Sequence, residues 1–168
     1  MTDRQQNEIL EDWLARYKGL LFKIVRSYAF TPMDREDLFQ EIAVQLWRSV
    51  PSFRGECAVT TWLYRVALNT AIRFSQKEKK RSDRMPLDDA YHVLVENESH
   101  DDRLSWLYNE IANLNEIDRS ITLLMLDDFS YREMATIVGI TESNIGVRIN
   151  RIKKQLMDKS RKHNLYGV

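Results

Sequence analysis

The sequence predicts an all-α protein built from two small helical domains joined by an acidic linker. Three observations carry this. Five glycines and three prolines in 168 residues leave long stretches without a breaker. Apolar residues recur at steps of three and four over most of the chain, the period of an amphipathic helix. Between 82 and 102 that pattern fails in SDRMPLDDAYHVLVENESHDD, which is acidic and holds Pro86.

The elements follow in order. Ile9, Trp13, Tyr17, Leu20, Leu21, Ile24, Val25 and Tyr28 predict one long first helix, which FTPMD ends. Pro32 and an Asp34 cap then open a second helix marked by Leu38, Ile42 and Leu46, running to about Pro51. The loop SFRGECAV leads into a third helix from Thr60 or Thr61. The stretch 82–102 reads as a linker, with a brief YHVLV run that fits either a disordered segment or a short docked helix. Periodicity returns with Leu104, Leu107, Ile111 and Leu114, then Ile117, Ile121, Leu124 and Met125.

The last part is the best specified. In FSYREMATIVGITESNIGVRINRIKKQL, Ser130 and Glu133 make a capping box, with Phe129 and Met134 placed to staple across it. Gly139 is a left-handed stop, and Thr141 is the N-cap of a final helix anchored by Ile145, Ile149, Ile152 and Leu156. Ala135 is small where two such helices must approach. This is the pattern of a helix-turn-helix, whose second helix reads base edges in the major groove. Its outer side would offer Ser143, Asn144, Val147, Arg148, Asn150, Arg151 and Lys154, with Lys153, Lys159, Arg161 and Lys162 near phosphates. The bland reading is a helical hairpin with a solvated basic face.

Charge divides the chain although the total is zero. Residues 1–81 hold fourteen lysines and arginines against ten acids (+4), 82–128 three against twelve (−9), and 129–168 eight against three (+5). Two basic ends around an acidic middle suit two modules that face a polyanion. No run of eighteen apolar residues exists, so no membrane insertion is expected. The opening MTDRQQNEILEDW lacks the apolar centre of a secretory signal, and the single Cys57 suits a reducing cytoplasm.

The third helix, in TTWLYRVALNTAIRFSQKEKKR, joins rings to cations. Trp62, Arg65, Val66, Asn69, Arg73 and Gln76 share one side, while Leu63, Ala67, Ala71 and Phe74 share another. Rings beside guanidinium groups are what unpaired nucleic acid uses: bases stack, at ~1–3 kcal/mol each, and cations follow the backbone. A Trp and a Tyr at a helix start also serve as ordinary core. On the helix before, Asp37, Gln40, Glu41 and Val44 form an acidic side, either solvated surface or a docking face for a protein.

No enzyme chemistry is visible. His92, His100 and His163 are scattered, no Cys/His spacing suits a metal, and no phosphate loop or paired nucleophile occurs, so no cofactor and no catalytic residue is expected.

Here the residues carry a resemblance. DREDLFQEIAVQLWRSVPSFRGECAVTTWLYRVALNTAIRF resembles the second region of bacterial sigma-70 family sigma factors, and FSYREMATIVGITESNIGVRINRIKKQL resembles their fourth-region helix-turn-helix. The order and the linker are similar to the small extracytoplasmic-function (ECF) class. The resemblance implies a transcription initiation factor with region 2 in 1–81, a linker in 82–102 and region 4 in 103–168. It implies that Asp37, Leu38, Gln40, Glu41 and Trp47 grip the clamp helices of core RNA polymerase's largest subunit, with a further contact at the flap. Phe53, Arg54, Trp62, Tyr64, Arg65 and Asn69 would open the −10 promoter element and hold its non-template strand, Asn69 where a flipped base is read. Arg73, Lys77, Lys79 and Lys80 would follow the backbone. Ser143, Asn144, Arg148, Asn150, Arg151 and Lys154 would read the −35 element as duplex. Gly146 and Val147 stand where relatives often carry polar or basic side chains. An anti-sigma protein is a common further partner in this class. The competing reading is a free-standing dimeric helix-turn-helix regulator, which leaves the Trp62 and Asp37 stripes without purpose. A helical adaptor without DNA would leave both basic ends so as well.

Overall fold

The computed structural model describes residues 1–84 and 101–166, and the chain falls into two compact units, Met1–His100 and Asp101–Val168. Every regular element among the described residues is helical. The stretch 85–100, on which most of the linker reading rests, lies outside the described residues.

In the first unit, α1 (Asp3–Arg16) opens on a Thr2–Gln5 capping box, and α2 (Lys18–Tyr28) follows at once. The single long helix expected here is therefore two, broken at Tyr17 (φ −111°, ψ 21°). Packing explains the break: α1 lies on α3, whereas α2 lies on α4 as well as α3. Helix α3 (Pro32–Ser49) starts with Pro32 at its first position, where the missing N–H is no loss. Its cap is Thr31 and not Asp34. The Asp34 N–H donates to Thr31 Oγ1 at 3.1 Å. A 3-10 turn at Val50–Ser52 and an exposed loop lead to α4 (Val59–Arg84), so 82–84, expected in the linker, are helical.

Leu21, Ile24, Leu38, Ile42, Leu46, Leu63, Tyr64, Ala67 and Ala71 are fully buried and form the core between α2, α3 and α4. At ~1.5–3 kcal/mol for each large aliphatic side chain, this burial dominates the unit's stability. The alanines on α4 let the helices approach closely.

In the second unit, α5 (Asp102–Ala112) is capped by Asp101, whose carboxylate accepts from the Arg103 N–H at 2.9 Å. Then come α6 (Glu116–Leu126), α7 (Tyr131–Val138) and α8 (Glu142–Tyr166). The capping box closes from both sides: the Glu133 N–H donates to Ser130 Oγ (3.1 Å), and the Ser130 N–H donates to Glu133 Oε2 (2.7 Å). Gly139, at φ 81°, ends α7 in the left-handed conformation that glycine adopts freely. Thr141 Oγ1 then accepts from the Asn144 N–H at 3.1 Å and caps α8. Helix α8 packs on both α6 and α7 through Ile145, Ile149 and Ile152, all buried. The α7–α8 pair is thus fixed as a helix-turn-helix.

Candidate nucleic-acid and partner interfaces

Helix α4 separates its faces by simple periodicity. Leu63, Tyr64, Ala67, Leu68, Thr70 and Ala71 are buried, while Arg65, Asn69, Arg73, Gln76, Lys77 and Lys80 are exposed along the other side. At 1.5 Å per residue, the line from Trp62 to Lys80 is about 27 Å long. Arg65, Lys77 and Lys80 make no ion pair among the described residues, and Lys79 is exposed beside them. Arg73 Nε donates to the Asn69 carbonyl at 3.3 Å, a bond along its own helix.

The rings at the start of this line are anchored. Phe53 meets Trp13 edge to face (centroids 5.4 Å, 86°) and Trp62 at a tilt (5.6 Å, 55°). Trp62 Nε1 donates to Ser49 Oγ at 3.0 Å. Such ring pairs add ~0.5–1.5 kcal/mol beyond burial, so the end of α3, the loop and α4 are stitched together. Trp62 and Phe53 remain half-exposed, and Arg54 is exposed next to them.

The acidic side of α3 is also present. Asp37, Gln40, Glu41, Val44 and Arg48 are exposed in one stripe, opposite Leu38, Ile42 and Leu46. Gln45 Nε2 reaches Glu41 Oε1 at 3.4 Å. Trp47 is half-buried and tied to α1, its Nε1 donating to Asn7 Oδ1 at 2.7 Å.

On α8, Ser143, Val147, Asn150 and Lys154 face away from the isoleucines and are exposed, Val147 at 65%. The two arginines are engaged. Arg148 Nη1 donates to Asp118 Oδ1 at 2.7 Å, and Arg151 Nη2 donates to Asp118 Oδ2 at 2.8 Å. Arg148 Nε also donates to Asn144 Oδ1 at 3.1 Å.

Three expected contacts need correction. Leu38 and Tyr64 are fully buried (0% exposed), so they support the α3 and α4 faces from beneath and do not reach a partner or a strand directly. Arg148, expected on the open side of α8, is 27% exposed and turned onto a buried carboxylate, a contact that ties α8 to α6. Asp118 itself was missed. As the third residue of α6 after Asn115 it reads locally as a capping group, and nothing in the local sequence announces partners thirty residues away. The remaining expected residues are half-exposed or exposed, distributed over α3, the loop before α4, α4 and α8. No group of histidine, cysteine and acidic side chains able to hold a metal, and no helix long and apolar enough to cross a membrane, occurs among the described residues.

Known proteins share this arrangement. Residues 13–81 match the family described as Sigma-70 region 2, and residues 104–156 match Sigma-70, region 4. The ECF RNA polymerase sigma-E factor of Haemophilus influenzae is 30% identical over 160 residues, covering 87% of this chain and 84% of that protein. Its Escherichia coli K12 namesake is 29% identical over 163 residues, covering 87% and 83%. Two solved structures share the fold. CnrH in complex with the cytosolic domain of CnrY has TM-score 0.66, 18% identity and 95% coverage of both chains. The sigma factor RpoE with the anti-sigma factor NepR from Bartonella quintana has TM-score 0.67, 21% identity, and 88% and 94% coverage. A free-standing regulator is not favoured by these likenesses. With both regions matched in chain order and relatives aligned over most of their length, the chain belongs to the sigma-70 family as an ECF sigma factor, a non-enzymatic transcription initiation factor that binds RNA polymerase.

Proposed function

We propose that the chain works by a division of labour among three faces. The α3 stripe of Asp37, Gln40 and Glu41, with the half-exposed rim of Trp47, docks on core RNA polymerase. The α4 line takes the unpaired strand of the −10 element: Phe53 and Trp62 stack on bases exposed by melting, Asn69 reads one of them, and Arg54, Arg65, Arg73, Lys77, Lys79 and Lys80 follow the phosphates. The outer side of α8, with Ser143, Asn144, Asn150, Arg151 and Lys154, reads the −35 element as duplex. Region 2 is then 1–81 and region 4 is 103–168, with 82–102 between them. The place of action is the cytoplasm, and an anti-sigma protein is the restraining partner.

The observation that carries this reading is the α4 line. A helix packed on one side presents Arg65, Lys77 and Lys80 on the other, with no ion pair among the described residues, and Arg73 and Lys79 exposed beside them, in a line that starts at two anchored rings. This suits strand capture, which needs stacking surfaces and cations together. An acidic stripe on the neighbouring helix would repel the same strand, so its partner is a protein.

The test is run-off transcription with bacterial core enzyme on a library of genomic fragments. Defined start sites that need the chain are expected. Identical transcripts without it would refute the reading.

A further inference from the structure

The carboxylate of Asp118 stands among more partners than helix capping requires. The residue is 3% exposed. Its Oδ1 accepts from Arg148 Nη1 at 2.7 Å, and its Oδ2 from Arg151 Nη2 at 2.8 Å and Asn115 Nδ2 at 3.0 Å. Its own N–H donates to Asn115 Oδ1 at 2.9 Å, so it also lies in the first turn of α6, where the helix dipole favours an anion. A carboxylate so deeply buried persists only when paired and hydrogen-bonded, and every bond here satisfies that need. Both cations come from α8, the second helix of the helix-turn-helix.

The two arginines are not equivalent. Arg148 spends Nη1 on Asp118 and Nε on Asn144 and is mostly covered. Arg151 gives Asp118 only Nη2, and its side chain stays 52% exposed. A guanidinium carries five donors in a fixed plane, so the rest of the Arg151 fork projects outward with its orientation set from behind. We infer that Asp118 is a positioning residue for duplex reading: it holds Arg148 as a strut and aims the free edge of Arg151 at a guanine, whose O6 and N7 accept such a fork in the major groove. This rests on the proposed reading that α8 meets the −35 duplex. One anion against two cations leaves the cluster positive, as a DNA-facing surface requires.

The test uses holoenzyme assembled from the full chain and core polymerase. A preferred duplex is first selected from a random-sequence library, and binding to it and to a scrambled duplex is measured across a series of KCl concentrations. Asp118→Asn is expected to lower the selected-to-scrambled affinity ratio ~10-fold or more, with the loss confined to one G·C position. Its log K against log salt slope should steepen by ~1 as the released guanidinium finds a phosphate. A purely structural role would not move that slope. Arg151→Gln should lose the same preference, and the double variant should lose no more than either alone. An Asp118→Asn holoenzyme with wild-type ratio and slope, or losses that multiply in the double variant, overturns the inference while the reading of α8 stands. If wild type selects no duplex at all, that reading falls and the inference with it. Should Asp118→Asn lack a cooperative melt, Arg151→Lys decides: it keeps the charge and removes the fork, so the ratio should drop at the same position, and an unchanged ratio overturns the inference.

Discussion

On the proposed reading, the cations of α4 and those of α8 serve the same polyanion, and the structure holds them under opposite constraints. Along α4, Arg65, Lys77 and Lys80 extend from a packed helix without ion pairs among the described residues. On α8, Arg148 and Arg151 converge on one buried carboxylate. The difference matches the ligands proposed for them. An unpaired strand bends and slides, so charge that follows it gains from long, mobile side chains, and rings supply the fixed points. A duplex presents donors and acceptors at set positions, so a reader gains from side chains ordered in advance.

The comparison is broken most directly through stability. Arg148→Ala removes one of two cations from a buried carboxylate and should destabilise the Asp101–Val168 unit by ~1–3 kcal/mol. Arg65→Ala and Arg73→Ala should each change stability by less than ~0.5 kcal/mol. Denaturant unfolding of the full chain reads both, and a silent Arg148→Ala would erase the distinction between fixed and mobile cations.

Next comes the anchored ring. Trp62→Ala should weaken strand capture by the ~1–3 kcal/mol of one stacked base. The loss should appear in abortive or run-off transcripts from a closed duplex and shrink on a pre-melted bubble. Equal losses on both templates would assign Trp62 to packing alone. Of smaller expected effect is Glu41→Lys on the exposed stripe of α3. It should reduce affinity for core polymerase about tenfold, ~1.4 kcal/mol, without changing the melting temperature, since Glu41 is exposed and its carboxylate accepts one 3.4 Å hydrogen bond from Gln45 within its own helix. A pull-down at matched salt checks this, and full binding by the variant would remove the stripe from the docking face.

The smallest effect concerns α8 itself. A Cβ at Gly146 would meet the Tyr131 ring at 3.5 Å, ordinary van der Waals contact. Gly146→Ala should therefore stabilise the unit by up to ~1 kcal/mol through helix propensity alone, seen as a higher melting temperature. If promoter binding falls while stability rises, the glycine is kept for approach to DNA.

Much of this was legible in the sequence, for local reasons. Ser130 with Glu133, Gly139 and Thr141 act on backbone groups within four residues, so their roles follow from the chain itself. The faces of α3 and α4 follow from spacing: the periodicity that puts Leu38 with Ile42 and Leu46 already assigns it to the core, and Tyr64 shares the buried side with Ala67, Leu68 and Ala71. What spacing could not give is tertiary. The break at Tyr17 has no breaker residue at it and follows from α1 and α2 choosing different neighbours. The pairing of Asp118 with Arg148 and Arg151 depends on how α8 is laid across α6.

The aromatic stitch at Phe53 has a consequence for descent. With Phe53 clasped by Trp13 and Trp62 on one side and α4 beginning at Val59 on the other, residues 54–58 are all exposed and bear no core packing. Gly55 keeps a φ of 72° that other residues adopt only with strain, and substitutions at the other four positions should be almost neutral for folding. On the proposed reading, in which Arg54 meets the −10 strand, this exposed loop is an exchangeable cassette: its side chains can change what is met there while the anchored scaffold on either side stays as it is.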